Sequence, residues 1–266
     1  MRLATALALS AALASATGLD WNTIGGKQVM VTYEHDDPGD HPHPSFIAES
    51  LPHTIRKLRA HAPLAVVAYG DSITHGVGSS GLAHIPPFLP PWPELFVHRL
   101  QSAYSYNDVK LYNSAQSGAT SEWGRNYAER MVATLNPDLV IVAFGQNDFW
   151  STDADTFATN ILGIVQTVRR RCPEAEFLLV STMRFDPAYT TNKAYWKVVG
   201  KYADKLKSLA GPGIGFVDMT AISESVYSAK KPKDCINDPL HPNDYLARWY
   251  AQSLAAALVP HPAPAQ

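Results

Sequence analysis

Four short stretches of the chain carry residue types that together could hydrolyse an ester. They are Gly70-Asp71-Ser72-Ile73-Thr74, Asn113-Ser114-Ala115-Gln116-Ser117-Gly118, Gly145-Gln146-Asn147-Asp148 and Asp238-Pro239-Leu240-His241, each occurring once and in this order. A serine hydroxyl is inert at neutral pH unless a base stands within hydrogen-bond reach. Ser72 is the candidate nucleophile and His241 the candidate base. Asp238, three residues before His241, could meet the imidazole Nδ1–H from a turn or a first helical turn. There it would fix the tautomer and stabilise the imidazolium that forms. Pro239 and Pro242 stiffen the pair, and Asp244 is a rival carboxylate on the far side of Pro242. The remaining stretches offer candidate donors to the oxyanion of a tetrahedral intermediate. Read singly, each residue also has a plainer explanation. Ser72 would suit a helix N-cap, Gly118 a turn, Asn147 a loop cap and His241 a polar loop. Asp71 and Asp148 read as residues that hold their loops in shape.

Chemistry spread over about 170 residues needs a scaffold that gathers it. From Leu64 onward the sequence alternates strand and helix. Apolar runs at 64–69, 109–113, 139–144, 177–181 and 215–218 predict five strands, and the first and third are apolar throughout, as for strands buried on both faces. Helical patterns are expected over 93–103, 127–135, 154–171, 194–209 and 246–258. Repeated strand-then-helix units argue for a three-layer α/β/α sandwich around a central parallel five-stranded sheet. Ligands of such sheets bind at the carboxyl ends of the strands. Ser72, Gly118 and Asn147 follow the first, second and third strands closely, so one sheet edge should receive all three.

On these four blocks the chain resembles the SGNH hydrolases of the GDSL esterase/lipase superfamily, named for a Ser, Gly, Asn and His. The resemblance runs from about Leu64 to the C-terminal helix. It departs in small ways: the first block reads Gly-Asp-Ser-Ile where Gly-Asp-Ser-Leu is usual, and the third reads Gly-Gln-Asn-Asp. It implies an SGNH/flavodoxin-like fold with no metal or organic cofactor. It also implies a Ser72–His241–Asp238 triad and an oxyanion hole of the Ser72 N–H, the Gly118 N–H and the Asn147 side-chain amide. The substrate would be a carboxylic ester, with an acyl-Ser72 intermediate.

Length and composition set the wider limits. At 266 residues, 46% hydrophobic and 17% charged, the chain is globular in character, with one large core. A net charge of −2 gives no electrostatic reason to expect nucleic acid or an anionic membrane as partner. No apolar run reaches the length of a membrane span. Residues 1–16 read as a secretory signal, with one Arg, an apolar run from Leu3 to Ala14 and small residues at 14–16; an Ala-rich helix is the alternative. Export to the periplasm or medium would permit a Cys172–Cys235 disulfide, the alternative being two free thiols. Residues 17–60 form an extension with a strand at 28–33, a polar loop holding His35, His41 and His43, and a helix over 50–60. The catalytic domain is expected over 61–259, and 260–266 as a disordered tail.

Substrate contacts are expected from Ile73, Phe149, Trp150, Tyr189 and Leu240, which lie beside the motifs or in loops that could reach the cleft mouth. Trp196 is a further candidate, better read as a core residue of its helix. The stiff apolar loop 76–93, with Pro86-Pro87-Phe88-Leu89-Pro90-Pro91-Trp92, could form one wall. Aromatic rings suit sugar faces as well as acyl groups. The expected substrate is therefore a short acyl ester, such as acetyl on an extracellular polysaccharide. A broad carboxylesterase or lipase, a thioesterase, an acyltransferase and a catalytically inactive carbohydrate-binding module are the other readings. The sequence does not fix the oligomeric state.

Overall fold

A computed structural model describes residues 46–47, 49–186 and 193–260. The leader, the strand at 28–33, the histidine-rich loop, Tyr189 and residues 261–266 lie outside the described residues, as does the Trp196 side chain. In chain order the elements are α1 (Pro52–Arg59), β1 (Leu64–Gly70), α2 (Ser72–His75), α3 (Trp92–Tyr104), β2 (Val109–Asn113) and α4 (Ser121–Met131). They continue with β3 (Leu139–Ala143), α5 (Ala154–Arg171), β4 (Glu176–Val180), α6 (Lys193–Leu209), β5 (Ile214–Val217), α7 (Met219–Ala229), β6 (Ile236–Asp238), β7 (His241–Pro242) and α8 (Asp244–Leu258).

The apolar strands make one parallel five-stranded sheet in the order β2-β1-β3-β4-β5. Side chains of a strand alternate between faces, and here they divide into two cores. Val66, Ile141, Leu178, Val180 and Val217 face one core with Ile55 and Leu58 of α1, Phe96 and Leu100 of α3, and most of the apolar face of α8. Val67, Tyr69, Val140, Val142, Phe177 and Leu179 face the other, with Phe157, Ile161, Ile164 and Val168 of α5 and Tyr202 of α6. Helices on both faces explain why β1 and β3 read as continuous apolar runs. Helix α1 is part of this packing, since Leu51, Ile55 and Leu58 are buried in the first core.

The disulfide does not form: both cysteines are free thiols. Cys235 lies in the core on one face of the sheet, and Cys172 packs against the core on the other. Burial pushes the Cys235 thiol up to about 12, which makes it a poor source of thiolate.

Two local features differ from the expectation drawn from the sequence. Helix α4 begins at Ser121, well before 127, because Thr120 caps it by accepting from the Trp123 N–H at 3.3 Å. Its Gly124, which interrupts the helical pattern, is placed where a Cβ would meet the Phe144 ring at 2.7 Å. Helix α7, absent from the sequence reading, follows β5 directly, with Asp218 accepting from the Ala221 N–H at 3.0 Å. Of the two expectations for Asp238 and His241, the structure has the turn, at Pro239-Leu240, and not the helical one. The two residues face each other across the small antiparallel ribbon β6–β7.

The strand order reverses direction between β1 and β3, since the chain runs outward from β1 to β2 and then returns to β3. This is the point in a doubly wound sheet where a crevice opens at the carboxyl ends of the strands. Ser72 follows β1 directly and Asn147 follows β3 by four residues. Among the described residues, no helix is long and apolar enough to cross a membrane.

Candidate active site

Ser72 is the first residue of the one-turn helix α2. Asp71, not Ser72, is the N-cap: its Oδ1 accepts from the Ile73 N–H at 3.0 Å. The serine hydroxyl is therefore spared from capping. The turn is fixed by its neighbours, as Trp92 Nε1 donates to the Ile73 carbonyl at 3.0 Å and Asn113 Nδ2 to the Thr74 carbonyl at 3.0 Å. Ser72 is only 8% exposed, and its Oγ stands 2.9 Å from His241 Nε2.

On the other side of the imidazole, His241 Nδ1 lies 2.9 Å from Asp238 Oδ2 and 3.0 Å from Oδ1. A carboxylate accepts only, so Nδ1 carries the proton and Nε2 presents its lone pair to the serine hydroxyl. Asp238 Oδ1 also accepts from the backbone N–H groups of Leu240 (2.8 Å) and His241 (3.1 Å). Partial burial raises the cost of its charge, but these hydrogen bonds and the His241 ring outweigh it and hold the carboxyl below its usual range. The arrangement supplies an oriented base to a hydroxyl. The rival carboxylate, Asp244, points elsewhere: it binds Ser80.

The second and third blocks meet beside it. The Gln116 N–H donates to the Gly70 carbonyl at 3.0 Å, so the loop before Gly118 runs along the end of β1. Gly118 is exposed and has φ of +79°, with open space where a Cβ would be. The position therefore needs glycine for its backbone conformation rather than for room. Asn147 Nδ2 donates to the carbonyl of Ala119, next to Gly118, at 3.0 Å. Asp148 accepts from the Ser121 N–H at 2.9 Å and from Ser121 Oγ at 2.5 Å, which ties the third block to the start of α4. Asp71 and Asp148 thus shape loops, as expected. Both carboxyls are raised, chiefly by burial; Asp71 reaches about 7, with the Asp148 charge adding to the effect.

Residues 68–249 match the model of the GDSL-like lipase/acylhydrolase family. The chain belongs to that family. This acylhydrolase is a serine ester hydrolase of the SGNH/GDSL type. Its fold is similar to that of an acetylxylan esterase from Geobacillus stearothermophilus, at 18% identity over 72% of this chain and 92% of that one, with a TM-score of 0.60. The lipase Lip_vut3 from a goat rumen metagenome is similar at 18% identity over 74% and 98%, with a TM-score of 0.60. A two-domain esterase active on acetylated mannans aligns at 22% identity with a TM-score of 0.62, over 81% of this chain and about half (53%) of that one. No curated protein matches the chain significantly in sequence.

Of the residues expected at the acylhydrolase's cleft mouth, Phe149 and Leu240 come together. Both pack on the small buried cluster of Phe185, Tyr195 and Val199. Trp150 stands 76% exposed, with its ring centroid 4.1 Å from that of Phe149. Ile73 is a correction: it is 4% exposed and packs in the first core, because the short helix that presents Ser72 outward turns the next side chain inward. The loop after Ser72 exposes Leu82, Ile85 and Phe88. One organising residue escaped the sequence reading. Buried Gln146 donates through Nε2 to the Leu240 carbonyl at 3.1 Å and accepts at Oε1 from Thr182 Oγ1 at 2.5 Å. It links the third block to the Asp238–His241 loop. The only sequence signal for it is an amide residue between Gly145 and Asn147 in the third block. Among the described residues, no three metal-ligating side chains converge.

Proposed function

We propose that this hydrolase works through an acyl-Ser72 intermediate and that its substrates carry short acyl groups, acetyl on carbohydrate being the favoured case. The observation that carries the mechanism is the continuous path Ser72 Oγ–His241 Nε2 and Nδ1–Asp238, with both steps near 2.9 Å. As Ser72 Oγ attacks the ester carbonyl, its proton passes to His241 Nε2. The tetrahedral intermediate then collapses as the imidazolium returns that proton to the leaving alkoxide. Water, deprotonated by the same nitrogen, attacks the acyl-enzyme and releases the acid and free Ser72.

The developing oxyanion is assigned three donors. The Ser72 N–H stands at the first position of α2, where a backbone N–H has no intrahelical acceptor. Gly118 contributes its N–H. An amide carries two N–H groups, and Asn147 commits one to Ala119, leaving a second for substrate. One such donor lowers a barrier by roughly 3–4 kcal/mol in acyl transfer.

Acetylated carbohydrate is supported by the exposed Trp150 ring, three residues after Asn147, and by the substrates named for two structural neighbours, acetylxylan and acetylated mannans. The apolar side chains of Leu82, Ile85 and Phe88 favour the second reading, a lipase or broad esterase with longer acyl chains. The leader-like residues 1–16 support export, which suits a polymeric substrate.

The deciding experiment compares initial rates on p-nitrophenyl acetate, butyrate, octanoate and palmitate with acetate release from acetylated xylan and mannan, using Ser72→Ala as control. Acetate-selective rates with polymer deacetylation support the first reading. A maximum at octanoate or palmitate without polymer release supports the second. Full activity in Ser72→Ala would overturn the serine mechanism.

A further inference from the structure

The nucleophile and its base come from segments 169 residues apart and meet through a single 2.9 Å hydrogen bond. One hydrogen bond between two side chains does not fix how the backbone segments that carry them lie against each other. Something else must hold the two segments in register. Downstream of α2 the chain turns through Gly76 and Gly78, both with positive φ. At Gly78 a Cβ would stand 2.2 Å from the Pro242 carbonyl oxygen and 3.3 Å from His241 Cβ, so the backbone after the nucleophile lies directly on the backbone after the base. Two residues on, Ser80 closes the contact. Its N–H donates to Asp244 Oδ1 at 2.8 Å, and its Oγ donates to Asp244 Oδ2 at 2.6 Å. Ser80 is 7% exposed and its Oγ also accepts from the Leu89 N–H at 2.8 Å. The Gly81 N–H donates to the Leu89 carbonyl at 2.9 Å, so the same serine folds the apolar loop back on itself. Asp244 opens α8 behind the Asn243 cap, where a carboxylate is also favoured by the helix dipole.

We propose that Asp244 is a positioning residue for catalysis: its two-oxygen clamp on Ser80 sets the distance and angle between His241 Nε2 and Ser72 Oγ. The clamp acts three residues beyond the base on one segment of chain and eight residues beyond the nucleophile on the other, and so closes a ring through the reacting pair. It touches neither substrate nor the reacting atoms. This role rests on the acyl-Ser72 reading above.

The test measures kcat and KM for p-nitrophenyl acetate, with active serines counted by fluorophosphonate titration, in wild type, Asp244→Ala, Asp244→Asn, Ser80→Ala and the Asp244→Ala/Ser80→Ala pair. Displacing a reacting group by about 1 Å costs on the order of 10²-fold in rate. Asp244→Ala is therefore expected to lower kcat per titrated serine by about that factor, with KM within about twofold. Asp244→Asn, which keeps an acceptor for the Ser80 N–H and can donate to Ser80 Oγ, is expected to recover most of the loss. The double variant is expected to be no slower than Asp244→Ala, as for two residues acting through one contact. Wild-type kcat per titrated serine in Asp244→Ala, or additive losses in the pair, would overturn the proposal. Should Asp244→Ala fail to fold, Ser80→Ala decides: a fall in kcat is expected, and an unchanged kcat would overturn it. Loss of labelling in wild type, or activity in Ser72→Ala, would instead overturn the serine mechanism itself.

Discussion

Replacing Asp238 by Asn removes one negative charge and almost no volume, which makes it the sharpest probe of the base. In the transition state His241 becomes a cation with Asp238 Oδ2 2.9 Å from Nδ1. Two unit charges at that separation attract by about 6 kcal/mol at an effective dielectric of 20 and by about 1.4 kcal/mol in water. The Asp238 side chain is 42% exposed and His241 only 17%, so solvent screens the pair in part and a value near 3 kcal/mol is appropriate. At 1.36 kcal/mol per decade this is on the order of 10²-fold in kcat. A second effect adds to it. The Asn Nδ2 group can donate to His241 Nδ1, which forces the proton onto Nε2 and turns the wrong tautomer toward Ser72; in a serine protease such a change costs about 10⁴-fold. The expected fall in kcat on p-nitrophenyl acetate is therefore about 10²–10⁴-fold, with KM nearly unchanged because Asp238 lies behind the base. Steady-state rates with a Ser72→Ala background read it directly. Wild-type kcat, or a raised KM with kcat intact, would refute the argument and show that another carboxylate orients His241.

Asp71 makes stability depend on pH. Its carboxyl is raised from 3.8 to about 7 in the folded protein, chiefly by burial. Between those values the unfolded chain has released the proton while the native state still binds it, so stability is lost as pH rises through that window. Asp71→Asn keeps the cap acceptor without the charge; in urea unfolding at pH 5 and pH 8 it should gain relative stability at the higher pH, by up to about 2.5 kcal/mol, the part of the shift that falls between pH 5 and about 7. An unchanged difference between the two pH values would contradict the buried-charge account. Asn147→Ala should lower kcat by about 10²–10³-fold through loss of an oxyanion donor, and a change in KM alone would assign the amide to binding instead. Because Cys172 and Cys235 are free and separated by the sheet, two thiols should react in the unfolded, unreduced protein, and dithiothreitol should leave Tm unchanged. A single band shift on reduction would mean that the cysteines pair.

Much of this molecule is legible in local stretches of sequence. Strands β1 and β3 betray themselves as unbroken apolar runs, because burial on both faces leaves no polar position to disguise them. Helix α5 covers 154–171 as expected and stops at Cys172-Pro173; the structure adds the Asp153 cap before it. The Asp238–His241 pairing is also local, since three residues of chain are enough to bring a carboxylate to its imidazole. What escaped is decided by contacts that no sequence window contains. Ile73 sits beside the nucleophile yet belongs to the core, because α2 is a single turn whose direction is set by Trp92 and Asn113. Cys172 and Cys235 differ little as residues, but the sheet places them on opposite faces. Gln146 reaches Leu240 across 94 residues, Asp244 reaches Ser80 across 164, and His241 reaches Ser72 across 169. The residue types, their order and their spacing determined which chemistry is available. Only the packing of the sheet and its helices decided which of those groups face one another, because hydrogen bonds of about 3 Å depend on where the chain returns and not on what precedes them.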